Sequence, residues 1–246
     1  MRNDAALLAF QLVNRGLRSV GFELHRKSNS RVLGSYPPLQ EYYMTGSPDD
    51  YYIHRGYKPR LHNAFFDDRS VDEEWQKEVY QFAQELAERE QLDSVCDVGC
   101  GSGFKLMKYF AEKQTVGLDL EPTVRRLKDK YPNRAWTVCN FSTPTPFCPD
   151  LVICADVIEH LPDPNQLLAF VKLLSPRYIV FSTPDRNLLR AGTHNGPPRN
   201  PAHVREWSMP EFRAYIGSEC EIIDQFVSNS VQCTQCLLAR PLRSRV

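Results

Sequence analysis

A glycine-rich turn between a strand and a helix constrains this chain more than any other feature of its sequence. The segment Val95–Gly103 reads Val-Cys-Asp-Val-Gly-Cys-Gly-Ser-Gly, and a helical pattern begins at Phe104. Glycine accepts the backbone angles of a tight turn and lets a ligand approach the main chain closely. A turn of this kind at the end of a parallel strand is typical of a nucleotide-type cofactor site.

Two acidic residues near this turn narrow the choice of cofactor. Asp119 stands twenty residues after Gly99, where an acid can bind the two hydroxyls of a ribose. Asp97 lies two residues before the first glycine. A carboxylate there would repel the pyrophosphate that dinucleotide sites place on the helix N-terminus. The turn therefore favours a cationic cofactor without phosphate, and S-adenosylmethionine, with its sulfonium and α-ammonium groups, fits.

The segments Asp97–Gly103 and Gly117–Asp119 resemble the first two motifs of class I S-adenosylmethionine-dependent methyltransferases. The resemblance implies that S-adenosylmethionine is the cofactor and S-adenosylhomocysteine the product. In the loop after the third strand, Asn140 would bond the adenine amine and Phe141 would stack on the ring, although Asn140 could equally form a turn. The cofactor-binding residues so implied are Asp97, Gly99, Cys100, Gly101, Gly103, Asp119, Leu120, Asn140, Phe141 and Asp156.

A regular alternation of strand and helix patterns follows residue 90. Strands are predicted near residues 93–98, 115–119, 135–139, 150–155 and 177–182, and helices near 70–89 (capped by Ser70), 103–113, 122–130, 164–174 and 209–216. Such alternation predicts an α/β fold with a parallel sheet covered on both faces. Two apolar runs, 221–227 and 231–239, predict a terminal antiparallel hairpin. The methyltransferase resemblance implies a Rossmann-like, doubly wound and mainly parallel seven-stranded sheet that ends in this hairpin.

Two parts are expected along the chain, an arm over residues 1–69 and the methyltransferase domain over 70–246. Residues 1–27 predict an amphipathic helix with basic members, which either packs on the domain or docks on a membrane surface or a partner. Residues 28–69 are rich in Tyr, Pro and Gly, so they predict an irregular arm that lines the binding cleft or covers a surface. Tyr57 in this arm is a candidate substrate contact.

The fourth strand ends in Asp156-Val-Ile-Glu-His-Leu, where an open α/β sheet faces its ligand crevice. This run resembles a motif of the ubiquinone-biosynthesis O-methyltransferases and their small-molecule relatives. His160 could act as a general base, since an imidazole pKa of about 6.5 suits proton removal near neutrality. Alternatively, it could be a helix-start residue bonded to a neighbouring loop. Glu159 and His160 alone are weak support for a metal, so we expect none.

A long polar loop after the fifth strand holds further candidates. The segment Asn200–Glu206 reads Asn-Pro-Ala-His-Val-Arg-Glu and resembles part of bacterial methyltransferases linked to glycan and secondary-metabolite pathways. His203 is a second candidate base or substrate-orienting residue. His194 is a candidate substrate contact, and Arg205 could bind an anionic substrate group or could pin the loop together with Glu206.

The composition of the chain indicates which partners and which cellular setting to expect. The chain has 246 residues with 30 Lys and Arg against 30 Asp and Glu, so we expect no nucleic acid partner. No apolar run approaches a membrane span, and the N-terminus has no signal-peptide layout. The eight cysteines are scattered, which favours a reduced cytoplasmic setting, and Cys233 and Cys236 read as strand residues rather than a metal or redox pair.

The function predicted from these features is methyl transfer from S-adenosylmethionine to a hydroxyl of a small molecule, sugar or glycan, in biosynthesis, with a histidine as the base. One alternative is an N-methyltransferase, because an amine acceptor needs only to arrive deprotonated. Another is a catalytically silent domain used for binding or assembly. A nicotinamide-dependent oxidoreductase is disfavoured by Asp97 and by the terminal hairpin. The cytoplasmic location would be membrane-peripheral if residues 1–27 dock on a membrane.

Overall fold

A computed structural model describes residues 51–142, 147–190 and 194–242. The helix predicted for residues 1–27 lies outside these ranges, as does the first part of the Tyr-rich arm. The division of the chain at residue 69 therefore stays a prediction. Within the described ranges, no helix is long and apolar enough to cross a membrane.

The described elements alternate as the sequence predicts. In chain order, helices α1 to α6 span Lys77–Arg89, Phe104–Tyr109, Glu121–Lys130, Asn165–Leu173, Arg186–Arg190 and Met209–Gly217. Strands β1 to β7 span Ser94–Val98, Gln114–Asp119, Ala135–Val138, Leu151–Ala155, Tyr178–Pro184, Cys220–Asn229 and Thr234–Pro241. A 3₁₀ turn over Ile158–His160 follows β4. Helix α5 lies within the segment that the sequence predicts to be a long polar loop.

The strands form one seven-stranded sheet in the order β3-β2-β1-β4-β5-β7-β6. The five strands from β3 to β5 are parallel, whereas β7 pairs antiparallel with both β5 and β6. This topology confirms the predicted Rossmann-like sheet and its terminal hairpin. The strand order reverses between β1 and β4, so the carboxyl ends of these two strands border the crevice in which such sheets bind their ligands.

Both faces of the sheet are buried, which explains why its central strands are apolar without alternation. In β4, Leu151 and Ile153 pack into the cluster that contains α1, α2 and α3 side chains. Val152 and Cys154 pack into the opposite cluster, which contains α4 and α6 side chains. Each fully buried Leu or Ile of this kind contributes about 1.5–3 kcal/mol to folding.

Helix α1 begins later than its sequence suggests. The predicted cap at Ser70 is wrong, because the Ser70 hydroxyl accepts a hydrogen bond from the backbone N–H two residues further on, in an isolated turn. Gln76 then takes a left-handed conformation with φ 61°, and its side-chain amide donates to the Ala155 carbonyl oxygen at 3.1 Å. This contact with the end of β4 interrupts the helical backbone, so α1 starts at Lys77.

The eight cysteines lie within the described ranges as free thiols. Cys236 is buried within β7, as expected for a strand residue. Cys233 instead precedes β7 in a left-handed conformation with φ 56°. The pair therefore straddles the end of a turn and the start of a strand.

The described part of the arm pairs with the long loop that follows β5. Backbone N–H groups of Lys58, Arg60 and Ala64 donate to carbonyl oxygens of the loop over residues 195–204, each at 2.8 Å. The Asn63 side chain adds bonds to the carbonyl oxygens of His160 and Ala202, at 2.9 and 3.0 Å. These contacts hold the arm beside the carboxyl ends of the strands.

Gly117 in β2 has no room for a side chain. A Cβ atom there would overlap Cε3 and Cζ3 of Trp136 and would lie 2.9 Å from Cys100 Sγ. We expect Gly117→Ala to lower the free energy of unfolding by about 1–3 kcal/mol through overpacking, measured by urea denaturation. Gly217→Ala is the matched control, because its Cβ would meet Ile222 at an ordinary 3.4 Å and should cost nothing. Equal stability of the two variants would contradict the packing argument.

Candidate functional site

The glycine-rich turn connects β1 to α2 and touches both neighbouring strands. Gly99, Gly101 and Gly103 have φ values of 74°, 53° and 68°, which favour glycine. The Gly99 N–H donates to the Leu118 carbonyl oxygen of β2 at 2.8 Å. A Cβ atom at Gly99 would lie 2.5 Å from Val157 Cγ2, just beyond β4. The turn is therefore fixed at the point where the strand order reverses.

Asp119 ends β2 with its carboxylate directed at this turn. Its Oδ2 accepts a hydrogen bond from the Gly101 N–H at 2.8 Å, and its Oδ1 accepts from the Leu120 N–H at 2.7 Å. Burial raises the pKa of Asp119, and these backbone bonds oppose the shift. Two backbone donors thus hold the carboxylate beside the turn, where remaining lone pairs can accept ribose hydroxyls.

Asp97 is buried in β1 with one oxygen satisfied and one not. Its Oδ2 accepts a hydrogen bond from the Tyr80 hydroxyl at 2.9 Å. Its Oδ1 has no hydrogen-bond partner within the described ranges, and the residue is 1% exposed. Burial raises the pKa of Asp97 to about 7, against the opposing effect of the Tyr80 bond. A buried acid with a spare oxygen fits the ammonium group of S-adenosylmethionine and disfavours a pyrophosphate.

The predicted adenine contacts are arranged in part by local turns. Asn140 Oδ1 accepts a hydrogen bond from the Ser142 N–H at 3.0 Å, which is the turn-forming role considered above. Phe141 has a φ of 62°, and its ring centroid lies 5.7 Å from that of Phe170 in the core. Leu120 is 45% exposed beside Asp119. Apart from these, the Cys100 side chain is buried in a core cluster, so Cys100 can offer a ligand its backbone alone.

Asp156 follows β4 in a left-handed conformation with φ 53°. Its Oδ1 accepts a hydrogen bond from the Ser182 hydroxyl at 2.6 Å, and its N–H donates to Ser182. Burial raises the pKa of Asp156, while Ser182 and the two histidines His160 and His203 lower it. These bonds to β5 fix the Asp156 carboxyl at the carboxyl end of β4.

The His160 ring has one hydrogen-bonded nitrogen, and the other has no hydrogen-bond partner within the described ranges. Nδ1 lies 3.0 Å from the Ala202 carbonyl oxygen, which can only accept, so Nδ1 carries the proton. The lone pair is then on Nε2. The ring stacks on Phe66 with centroids 5.7 Å apart and planes at 7°. Burial lowers the pKa of His160, so the imidazole stays neutral and able to accept a proton at neutral pH.

His203 lies beside His160, with ring centroids 5.0 Å apart, but both of its nitrogens are engaged. Asn200 Oδ1 accepts a bond from the Ala202 N–H, so its amide NH₂ faces His203 Nε2 at 2.9 Å. His203 Nδ1 therefore carries the proton and donates to Glu206 Oε1 at 2.9 Å. His203 is a fixed neighbour of His160, whereas Nε2 of His160 has its lone pair available.

Glu159 completes a cluster of three possible metal ligands. One donor atom from each of Glu159, His160 and His203 lies within 4.8 Å of the other two. Glu159 Oε2 accepts a bond from the Thr183 hydroxyl at 3.0 Å, while Oε1 has no partner within the described ranges. Burial raises the pKa of Glu159 to about 8. A cation at this cluster would have to displace the carboxyl proton and compete with Asn200 for His203 Nε2.

The predicted substrate residues divide into two places. Tyr57 and Arg205 line one cavity on the arm, where the Tyr57 hydroxyl accepts a bond from the Glu206 N–H at 3.0 Å. His194 lies elsewhere in the loop, and its Nδ1 accepts a bond from the Gly196 N–H at 3.1 Å. Arg205 donates to the carbonyl oxygens of Leu161 and Pro162, and both roles considered for it stay predictions.

Sequence reasoning missed three contributors to the site. Tyr80 bonds Asp97 from helix α1, Asn200 holds His203, and Phe66 covers the His160 ring. Asn200 stood within a recognised motif, three residues before its partner, so its spacing was a usable signal. The other two contacts join residues 17 and 94 positions apart, and no local pattern indicates them.

A family model described as a methyltransferase domain matches residues 68–223. The chain belongs to this methyltransferase family. The predicted cofactor motifs, Asp97–Gly103 and Gly117–Asp119, lie within the matched residues, so S-adenosylmethionine is the cofactor expected of this family member.

Two relatives and one solved structure are similar to parts of this chain. The ubiquinone biosynthesis O-methyltransferase of Bordetella avium is 34% identical over 119 residues, which cover 44% of this chain and 49% of that protein. The small RNA 2′-O-methyltransferase of Rattus norvegicus is 28% identical over 174 residues, which cover 56% of this chain and 41% of that protein. The chain thus spans half the length or less of these relatives. The solved methyltransferase domain of bacterial CtHen1-C has a TM-score of 0.54 at 20% identity, covers 68% of this chain and 98% of that one, and shows the fold alone.

The expectation that nucleic acid is no partner of this methyltransferase is wrong. It rested on the balance of 30 basic and 30 acidic residues. A relative named for small RNA 2′-O-methylation aligns with 56% of the chain. Net charge is a sum over the whole chain, so a net charge of zero does not exclude a nucleic acid partner.

The raised pKa of Asp97 predicts that cofactor affinity depends on pH. Below pH 7 the free protein holds a proton on Asp97, whereas a bound ammonium group would favour the ionised carboxylate. Binding would then release this proton, so we expect S-adenosylhomocysteine affinity to rise with pH by up to about tenfold per unit below pH 7 and to level off above it. Isothermal titration at several pH values measures this slope.

Asp97→Asn should bind S-adenosylhomocysteine more weakly and without this slope. Asp93→Asn makes the same chemical change at an exposed position and should keep both the affinity and the slope. A slope that persists in Asp97→Asn would assign the proton to another group.

Proposed function

We propose that this methyltransferase transfers the methyl group of S-adenosylmethionine to a hydroxyl of a small molecule or sugar, with His160 as the general base. The observation that carries the proposal is the tautomer of His160. Its Nδ1–H is spent on the Ala202 carbonyl oxygen, so the lone pair of Nε2 is available for the hydroxyl proton.

The residues around the glycine-rich turn would bind the cofactor. Asp97 would accept from its ammonium group, Asp119 from its ribose hydroxyls, and Asn140 with Phe141 would contact its adenine. The bound cofactor supplies a sulfonium methyl group with a good leaving group already attached. The protein therefore has to align the acceptor oxygen, exclude water and remove one proton.

His160 and its neighbours are arranged for that proton. The hydroxyl proton would move to His160 Nε2 as the acceptor oxygen becomes nucleophilic. The lowered pKa keeps the ring neutral beforehand, and the negative charge of Asp156 favours the imidazolium that results. Phe66, stacked on the ring, limits its rotation and its access to water.

A ribose hydroxyl of RNA is a second candidate acceptor. The similarity to small RNA 2′-O-methyltransferases extends over 174 residues, more than the 119 shared with the ubiquinone enzyme. Both relatives are named as O-methyltransferases, so either acceptor needs a hydroxyl to be activated. An amine acceptor that arrives deprotonated would not need His160 Nε2 as a general base.

A divalent cation is a second candidate for hydroxyl activation. It is favoured by Glu159 Oε1, which has no hydrogen-bond partner within the described ranges, and by the compact cluster of three donors. The expectation of no metal stays a prediction. Activity that survives chelation by EDTA would support the base alone, whereas loss that Mg²⁺ or Mn²⁺ restores would support the cation.

We expect His160→Ala to lower kcat by about 10²–10⁴-fold and to leave S-adenosylhomocysteine affinity unchanged, because the ring acts on the acceptor rather than on the cofactor. Transfer of a labelled methyl group to a panel of sugars, phenols, amines and a short RNA measures the activity. Titration calorimetry measures the affinity.

His62→Ala is the matched control, since His62 is exposed in the same arm segment as Phe66. Full activity of His160→Ala would remove the base assignment. Cofactor binding by the unaltered protein without transfer to any member of the panel would favour the catalytically silent alternative.

A further inference from the structure

We propose that a cavity between the arm and the loop after β5 binds an anionic group, a phosphate or a carboxylate, carried by a ring-bearing acceptor. This inference rests on the proposed function, because it names the class of acceptor for the same site. The cavity has a volume of about 330 Å³. Its lining includes Tyr51, His54, Arg55, Tyr57 and Arg205.

Arg205 brings a buried positive charge to this cavity. It is 5% exposed, and its two terminal nitrogens donate to the carbonyl oxygens of Leu161 and Pro162, each at 2.8 Å. Its guanidinium carbon lies 4.3 Å from the centre of the Tyr51 ring. Among the ion pairs of the described residues, none includes Arg205. The negative charge of Asp163, which accepts a bond from the Tyr51 hydroxyl at 3.4 Å, acts on Arg205.

A second arginine stands on the exposed side of the same cavity. Arg55 is exposed and, like Arg205, takes part in no ion pair among the described residues. The chain as a whole has a formal net charge of zero, so this concentration of positive charge is local. Guanidinium groups bind carboxylates and phosphates through paired hydrogen bonds, which favours an anionic ligand here.

The tyrosines add an apolar surface and a hydrogen-bond donor. The Tyr57 hydroxyl accepts from the Glu206 N–H, so its own proton remains to be donated. Burial raises the pKa of Tyr57 to about 12, which keeps that proton in place at neutral pH. The rings of Tyr51 and Tyr57 contribute aromatic surface to the cavity lining.

The cavity and the proposed base share one turn of the backbone. Arg205 bonds the carbonyl groups of the two residues that directly follow His160. Its own N–H lies 3.4 Å from the Glu159 carbonyl oxygen, directly before His160. The arginine that lines the cavity is therefore bonded to the backbone on both sides of the proposed base, which places the cavity close to His160.

Titration calorimetry on the full chain with S-adenosylhomocysteine bound tests this subsite. Pyrophosphate probes the phosphate source, glucuronate probes the carboxylate source, and glucose is the neutral reference. We expect one of the two anions to bind and glucose to bind at least about tenfold more weakly. Arg55→Gln should weaken binding of that anion by about tenfold, the worth of one charge-assisted contact.

Lys58→Gln is the matched control, because it removes one positive charge from an exposed arm residue outside the cavity lining. It should leave anion binding unchanged. The proposal is overturned if neither anion binds better than glucose, or if Lys58→Gln weakens binding as much as Arg55→Gln. Anion binding that depends on Arg55 would support the subsite even if no methyl transfer is detected. The binding measurement therefore distinguishes failure of the subsite from failure of the proposed function.

Discussion

Strands β1, β2, β4 and β5 are covered by side chains on both faces, so the polar groups of the site can stand only where these strands end. Asp97 pairs in register with Gly117 and Ile153, next to the carboxyl ends of β1, β2 and β4. Parallel register brings the loops after these strands to one edge. The glycine turn, Asp119 and the run Asp156–His160 lie at this edge because the faces of the sheet are covered by packed side chains.

The same burial determines the charge of the site. It raises the pKa of Asp97 to about 7 and of Glu159 to about 8. Each of these acids also has an oxygen without a hydrogen-bond partner within the described ranges. Buried acids of this kind are stabilised by a proton or by a cationic ligand. A cationic methyl donor suits such an edge far better than a phosphate-bearing cofactor would.

The sequence was informative where local rules decide the structure. Apolar runs over both sheet faces predicted the strands to within a few residues, and the spacing of Asp97, the glycines and Asp119 predicted the cofactor turn. The start of α1 could not be predicted, because Gln76 leaves the helical conformation to bond Ala155, 79 residues away. The prediction that nucleic acid is no partner was wrong because the net charge does not indicate how charged residues are distributed over the surface.

The two candidate bases show what sequence alone cannot separate. His160 and His203 are the same residue type, and their rings lie 5.0 Å apart. Their chemical difference comes entirely from their partners: a carbonyl oxygen leaves His160 Nε2 available, while an amide and a carboxylate occupy both nitrogens of His203. The loop that supplies the Ala202 carbonyl also supplies Asn200 and Glu206. One loop therefore sets the tautomers of both rings, and a change in its path would alter which histidine can accept a proton.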